Sequence, residues 1–325
     1  VKSNPVTFTT LDTTSHNFAF ETFTFGQHSS STLYDVSIIN GNNIWAVGEI
    51  YMNDSLGNPD PNAYNAVHWN GNSWELKRIM FYTICGQQSR SSYPAKSIFT
   101  FNENEIWIAM DGDQIAKLEN GIQVHTICLP WSFSINKMWG SSSNDLYAVG
   151  NNGNIAHYNG SRWAKIESGT TSIISDAWGI SNDGISTVYC TVSSFFEPQQ
   201  DRKILKIVDS KVDSISWKEN KLLYSCWTNS NNYLYVCGSG VYQNKSGQWR
   251  QENLPSVSMN MVRGNAINDI FIIGDFGLAA HFNGSSWQVS NDGFGDIWGL
   301  AFKQNLVAFV GQKNGLGYLV IGRRN

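Results

Sequence analysis

Four carboxylates, Asp54, Asp60, Glu197 and Asp201, stand in stretches where the chain is longer than its neighbours require. Two acids facing each other across roughly 5 to 10 Å can do acid–base work on a glycosidic bond. Sequence leaves that distance open. Around them lie Tyr51, Tyr64, Tyr82, Arg90, Tyr93, Phe195, Phe196 and Arg202. Aromatic rings beside arginines and acids stack on sugars or anchor a protein partner; the competing reading is that the rings pin long loops to the body. The run from Asp54 to Asp60 also offers oxygen ligands of the kind calcium takes, without EF-hand spacing.

His68, His157 and His281 look like metal ligands until their phase is noticed. Each sits in the same phrase: Ala66-Val67-His68-Trp69-Asn70-Gly71, Ile155-Ala156-His157-Tyr158-Asn159-Gly160 and Ala279-Ala280-His281-Phe282-Asn283-Gly284. Residues repeated in separate units are held apart, so the three cannot share a metal and are expected to bridge strand to turn. Asp145 and Asp269 open matching apolar runs and read as turn formers. Of five cysteines, Cys85 and Cys128 could meet as a disulfide, and Cys226 and Cys237 could pair across a hairpin. Buried free thiols are the favoured reading for Cys190, Cys226 and Cys237. No cofactor and no metal site is expected.

The elements that hold these residues come from a repeat. Asn43-Ile44-Trp45-Ala46-Val47-Gly48 returns at 144–150 and 268–274, each followed by the histidine phrase and a tryptophan (Trp74, Trp163, Trp287). Degenerate copies near 104–109, 185–189, 233–238 and 306–311 make seven units of about 45 residues, the length of a propeller blade. Asn-Gly between alternating apolar residues is a hairpin signal, so each unit reads as four antiparallel strands. The second strand is apolar on both faces and should be fully buried. The repeated tryptophans, Trp139, Trp178, Trp227 and Trp298 among them, are read as packing between blades.

The expected fold is therefore all-β, a seven-bladed β-propeller spanning 17–325, with 1–16 as a linker or remnant. The last unit has only three strands, and Phe18–Phe25 is a strand without a blade. It should complete the last blade and close the ring.

In that topology, loops between second and third strands share a face with the connections between blades. The three long departures, 49–65, 80–96 and 193–203, all belong to that face, while the opposite loops stay short. Length that the fold does not require points to a binding surface. A net charge of −4 without a basic run argues against nucleic acid or an anionic membrane as partner. No apolar segment reaches membrane-spanning length. The chain opens on Val1, and a preceding signal peptide, tether or further domain is expected, with an exported, periplasmic or cell-surface location.

The stretches 139–150, Trp-Gly-Ser-Ser-Ser-Asn-Asp-Leu-Tyr-Ala-Val-Gly, and 157–163, His-Tyr-Asn-Gly-Ser-Arg-Trp, carry a resemblance. The chain resembles exported seven-bladed propeller proteins and lipoproteins of the Bacteroidota and Ignavibacteria, and is loosely similar to YCF48-like assembly factors. The resemblance covers His16 through Arg323 and implies architecture rather than activity. Such sequences often carry a glucosyltransferase label, but no nucleotide-sugar motif or α/β pattern supports it here. The sialidase Asp box fails too, because Gly293 comes one place early. The favoured function is a non-enzymatic binding or assembly module that holds a protein or a glycan on the long-loop face. A glycan hydrolase or lyase using the four carboxylates, and a lectin with repeated sites, are the alternatives.

Overall fold

The computed structural model describes residues 11–193, 201–217, 219, 221–290 and 293–325. Among them are seven four-stranded antiparallel sheets arranged as blades around one axis. The first strands of the blades are Thr32–Asn40, Ala95–Asn102, Ile135–Ser142, Ile174–Asn182, Leu223–Ser230, Met259–Ala266 and Asp296–Lys303. They pack against one another around the axis. The second strands lie one place outward and are buried, as the all-buried pattern of Asp269–Gly274 illustrates. Neighbouring blades cover both faces of these strands, which is why their sequences show no polar alternation.

Closure follows the sequence pattern. Phe18–Phe25 pairs along its whole length with the last strand, from Phe18 opposite Arg324 to Phe25 opposite Gly317. Successive strand side chains alternate faces. Phe18 meets Phe271 and Phe20 meets Phe294 toward the sixth blade, whereas Phe23 and Phe25 both meet Trp74 of the first. One strand thus wedges between two blades and buries the edge that an open ring would expose.

The histidine phrase is structural, as its phase implied. Each ring stacks on the aromatic residue of the adjacent second strand: His68 on Trp45, His157 on Tyr147 and His281 on Phe271. Each Nε2 reaches the residue opening that strand: Asn43, Asp145 or Asp269. The two aspartates differ from the expectation of simple turn formers. Asp145 also accepts hydrogen bonds from Ser141 and from Ser186 of the next blade, so it ties blades together. Burial alone would raise the Asp145 carboxyl, but the bonds from His157, Ser141 and Ser186 outweigh it and hold it at about 2.

Two buried ionic networks cement the inner strands, and they are built alike. Asp35 accepts from Lys137 Nζ at 2.6 Å, from Ser97 Oγ and from Ile98 N. Asp176 accepts a two-pronged pair from Arg263 at 2.9 Å on each oxygen, together with Ser225 Oγ and Cys226 N. Each network runs across three consecutive blades, one through three and four through six. All four charged side chains are almost fully buried.

Candidate functional site

Each first strand carries a β-bulge near its start, at one phase of the repeat. Pairing with the second strand skips Tyr34, Lys96, Asn136, Ser175, Tyr224, Asn260 and Trp298, one residue per blade. A bulge leaves its extra residue unpaired and re-aims its side chain. All seven line one cavity of about 600 Å³ at the mouth of the central channel. The mouth lies at the end where the blade connections enter, the same end as the long loops.

The glycine that closes the second strand belongs to this device. A Cβ on Gly48, Gly150, Gly238 or Gly311 would stand 1.8 to 2.1 Å from the carbonyl oxygen of Thr32, Ser134, Leu222 or Asp296 respectively. Each carbonyl is two residues before a bulge. The repeated Val-Gly phrase, seen in sequence only as a strand end, makes room for the chain as it enters the bulge.

A second cavity of about 180 Å³ lies deeper along the channel, and Lys137 lines both. Arg263 lines the smaller cavity too, and both cations are held by their aspartates. Around the mouth, Tyr34 donates to Glu49 Oε1 at 2.6 Å and Lys96 Nζ lies 4.1 Å from the centroid of the Tyr34 ring. Burial and the Glu49 carboxylate both push the Tyr34 hydroxyl upward, so it remains a donor. Asn136 and Asn260 hold equivalent places, each donating to a backbone carbonyl of the next blade, Ile174 and Ile297.

Trp298 departs from the expectation. It was grouped with Trp139, Trp178 and Trp227 as a packing residue, but the register places those three positions after their bulges and Trp298 at the bulge itself. Its ring is 37 % exposed in the mouth. Beside it, the turn Asp275–Gly277 packs against the same strand and contributes Asp275 to the lining. Phe276 in that turn is 86 % exposed and holds a left-handed backbone, φ 59°. The equivalent residue of the third blade is Asn152, φ 56°, a residue type that tolerates this region far better than phenylalanine.

The expected site residues fall into separate groups. Tyr51 joins the mouth through Glu49, donating to Oε2 at 2.8 Å while Tyr34 occupies Oε1. Burial leads the effects that raise the Tyr224 hydroxyl, and the Arg202 charge opposes them. Asp201 accepts from Ser172 at 2.7 Å and from Thr170, and the Ser172 bond leads the effects that lower its carboxyl. Phe195, Phe196 and Glu197 lie outside the described residues.

The remaining candidates hold the insertions in place. Asp54 Oδ1 accepts from Leu56 N and Asn58 N, closing its own turn. Asp60 pairs with Arg78 at 2.5 Å, and the Arg78 guanidinium lies 3.9 Å from the centroid of the Tyr64 ring. Asp54 Oδ1 and Asp60 Oδ2, two of the oxygens of the 54–60 stretch, are thus engaged by donors of the same chain. Arg90 stacks on Tyr82 and donates to its hydroxyl at 2.6 Å, and Tyr93 packs on the core between blades one and two.

The second insertion is fastened by three side-chain amides acting as ladder rungs. Asn65, Gln114 and Gln123 each bond both the amide and the carbonyl of one residue, Ile79, Tyr82 and Met80 respectively. The Cys85–Cys128 disulfide adds a covalent staple to the second blade. Cys226 and Cys237 do not pair; both are buried thiols, as is Cys190. Nothing in the sequence marked the three amides, because their partners are main-chain groups.

No protein-family model matches the sequence, and no curated protein does. Solved structures do match. A structure of YCF48 bound to a D1 peptide aligns with a TM-score of 0.66 at 15% identity, covering 94% of this chain and 95% of that one. The WD40 propeller domain of Doa1 aligns with a TM-score of 0.69 at 13% identity, over 94% and 97%. YCF48 from Cyanidioschyzon merolae aligns with a TM-score of 0.62 at 11% identity, over 93% and 98%. The likeness is one of fold. It agrees with the seven-bladed propeller and with the loose similarity to YCF48.

Proposed function

We propose that this chain is a non-enzymatic binding module that seats an extended protein segment in the channel mouth, with the insertions as its walls. The observation that carries the reading is the ring of seven bulges. It spends one side chain per blade on a 600 Å³ cavity and leaves Trp298 exposed there. Mouths and clefts with a few polar groups among apolar ones are where ligands settle. A propeller of this fold, YCF48, has been solved with a peptide bound, which supports the protein-segment reading.

The ring also argues for one composite site. Its members are Tyr, Lys, Asn, Ser, Tyr, Asn and Trp, whereas a repeated lectin needs equivalent residues. The described carboxylates proposed for hydrolysis, Asp54, Asp60 and Asp201, are each engaged by donors of different parts of the chain. The expected export and N-terminal tether belong to the same proposal. Residues 12–16 cross the sixth blade at the end opposite the mouth, where Asp12 and Thr14 bond Asn268 and Asn283, so a tether there would leave the mouth free.

The test is an array of random immobilised peptides probed with the folded chain and with Trp298→Ala. Binding to a subset of peptides, reduced at least tenfold in the variant, is expected. Peptide binding unchanged by the substitution would move the site elsewhere. Silence on peptides together with a glycan-array signal lost in Trp298→Ala would overturn the protein reading in favour of sugars.

A further inference from the structure

Of the three histidines at the repeated phase, one has acquired a second imidazole. His157 has its turn residue and a stacked ring, and His68 adds only the Glu75 carboxylate, 3.8 Å from its Nδ1, but His281 Nδ1 faces Nδ1 of His16, at 2.8 Å. The two rings meet edge to face, 87° apart with centroids 4.8 Å apart. His16 arrives from the segment that leads into the ring-closing strand, so the pair exists only because the ring is closed.

The far side of His281 is fixed. Asp269 accepts from His281 Nε2 at 2.9 Å, and a carboxylate can only accept, so Nε2 carries the proton and Nδ1 presents a lone pair to His16. A ring whose outer nitrogen donates to a carboxylate while the inner one points at a second ligand is the arrangement that orients metal-binding histidines. Asp269 is itself anchored by Asn265, Thr14 and Arg324. The Arg324 guanidinium is thereby paired with a carboxylate beside the site.

We propose that His16 and His281 form a binding site for a divalent transition metal of the zinc, copper or nickel class. Imidazole nitrogen suits these ions, whereas calcium and magnesium take oxygen. Among the described residues no cluster of three or more His, Cys, Asp or Glu surrounds them, so the protein supplies two ligands. Water fills the remaining positions, from a cavity of about 640 Å³ that both imidazoles line together with Ser15 and Gln288. His16 rotates its proton to Nε2, beside Ser286 Oγ, and its Nδ1 lone pair joins that of His281. The bound ion joins the N-terminal segment to the sixth blade, so it clasps the closed ring.

The experiment titrates the full chain with zinc chloride by calorimetry near pH 7.5 and records the melting temperature with and without the ion. A parallel titration with copper(II) is read by electron paramagnetic resonance. One ion per chain, a raised melting temperature and a two-nitrogen copper signature are expected. His16→Ala, which lies outside every strand, should weaken binding at least tenfold and abolish the thermal shift; His157→Gln should leave both unchanged. Absence of binding, or binding that His16→Ala leaves intact, would overturn the proposal and reduce the pair to a shared proton. His281→Gln serves as a second removal of the site, and His16→Ala decides the matter if that variant fails to fold.

Discussion

Replacing Arg263 by methionine should be among the most damaging single changes in the ring. Arg263 and Asp176 are 2% and 1% exposed, and the guanidinium spends both prongs on the carboxylate at 2.9 Å. It also donates to the carbonyls of Cys226 and Val262. Methionine fills much of the volume but leaves Asp176 as an uncompensated charge, with only Ser225 and Cys226 N to solvate it. Breaking a buried pair from one side costs about 3–5 kcal/mol. Urea unfolding at pH 7.5 should therefore show a loss of that size. The double variant Asp176→Asn/Arg263→Met should lose only about 1–2 kcal/mol, because the asparagine oxygen still accepts from Ser225 and Cys226 while the stranded charge is gone. In the single variant, Asp176 can escape its penalty by taking a proton. The native state then binds more protons than the unfolded one, so stability falls as pH rises and the deficit is smaller at pH 5 than at pH 7.5. A single-variant loss below about 1 kcal/mol would refute the reasoning, because breaking a buried pair carries a far larger cost. A double variant as unstable as the sum of its parts would do the same.

Three further outcomes follow from the geometry. Phe276→Asn restores the residue type of the equivalent third-blade turn; it should raise stability by about 1 kcal/mol by relieving a left-handed phenylalanine and weaken peptide binding on the array, and no gain in the melting temperature would count against the strain. Changing both Cys85 and Cys128 to serine frees a loop with a sequence separation of 43. The chain-entropy cost is about 4 kcal/mol, an upper bound here because Asn65, Gln114 and Gln123 also fasten the loop, and thermal unfolding reads it. Asp145, held at about 2 in the folded chain and near the ordinary aspartate value when unfolded, contributes roughly 2 kcal/mol that is fully present above pH 4 and lost as pH falls through 2. His157→Phe should move that acid limb upward in urea midpoints measured between pH 2 and pH 6.

Much of the architecture was legible in the residues themselves. Seven apolar second strands, Asn-Gly hairpins and the unmatched strand at 18–25 report local patterns of period two and fixed turn chemistry. Such patterns survive in a linear chain because each element's burial is the same in every blade. The histidine phase was legible for the same reason, and it correctly separated His68, His157 and His281.

The site was legible only in part. Sequence put the three long insertions on one face, because loop length is a linear quantity, and it named Tyr51, which shares Glu49 with Tyr34 at the proposed mouth. It named Asp54, Asp60, Tyr64, Tyr82 and Arg90 for binding without showing their partners within the chain, because aromatic and charged residues look alike in sequence whether they meet a ligand or each other. It missed Tyr34, Lys96, Tyr224 and Asn260 because a bulge is a property of pairing between two strands. One extra residue leaves no mark until the partner's register is known, and that register also turned Trp298 from a packing residue into an exposed one.

What the sequence determined alone is the repeat, the strand order and the side of the ring that carries extra length, since all of these follow from periodicity and spacing along one dimension. Only the tertiary structure decided that seven bulges converge on one mouth, that Asp35 holds Lys137 and Asp176 holds Arg263 across blades, and that His16 meets His281 at a sequence separation of 265. Each of those contacts joins residues from different blades or from opposite ends of the chain, and closure of the ring is the physical event that brings them together.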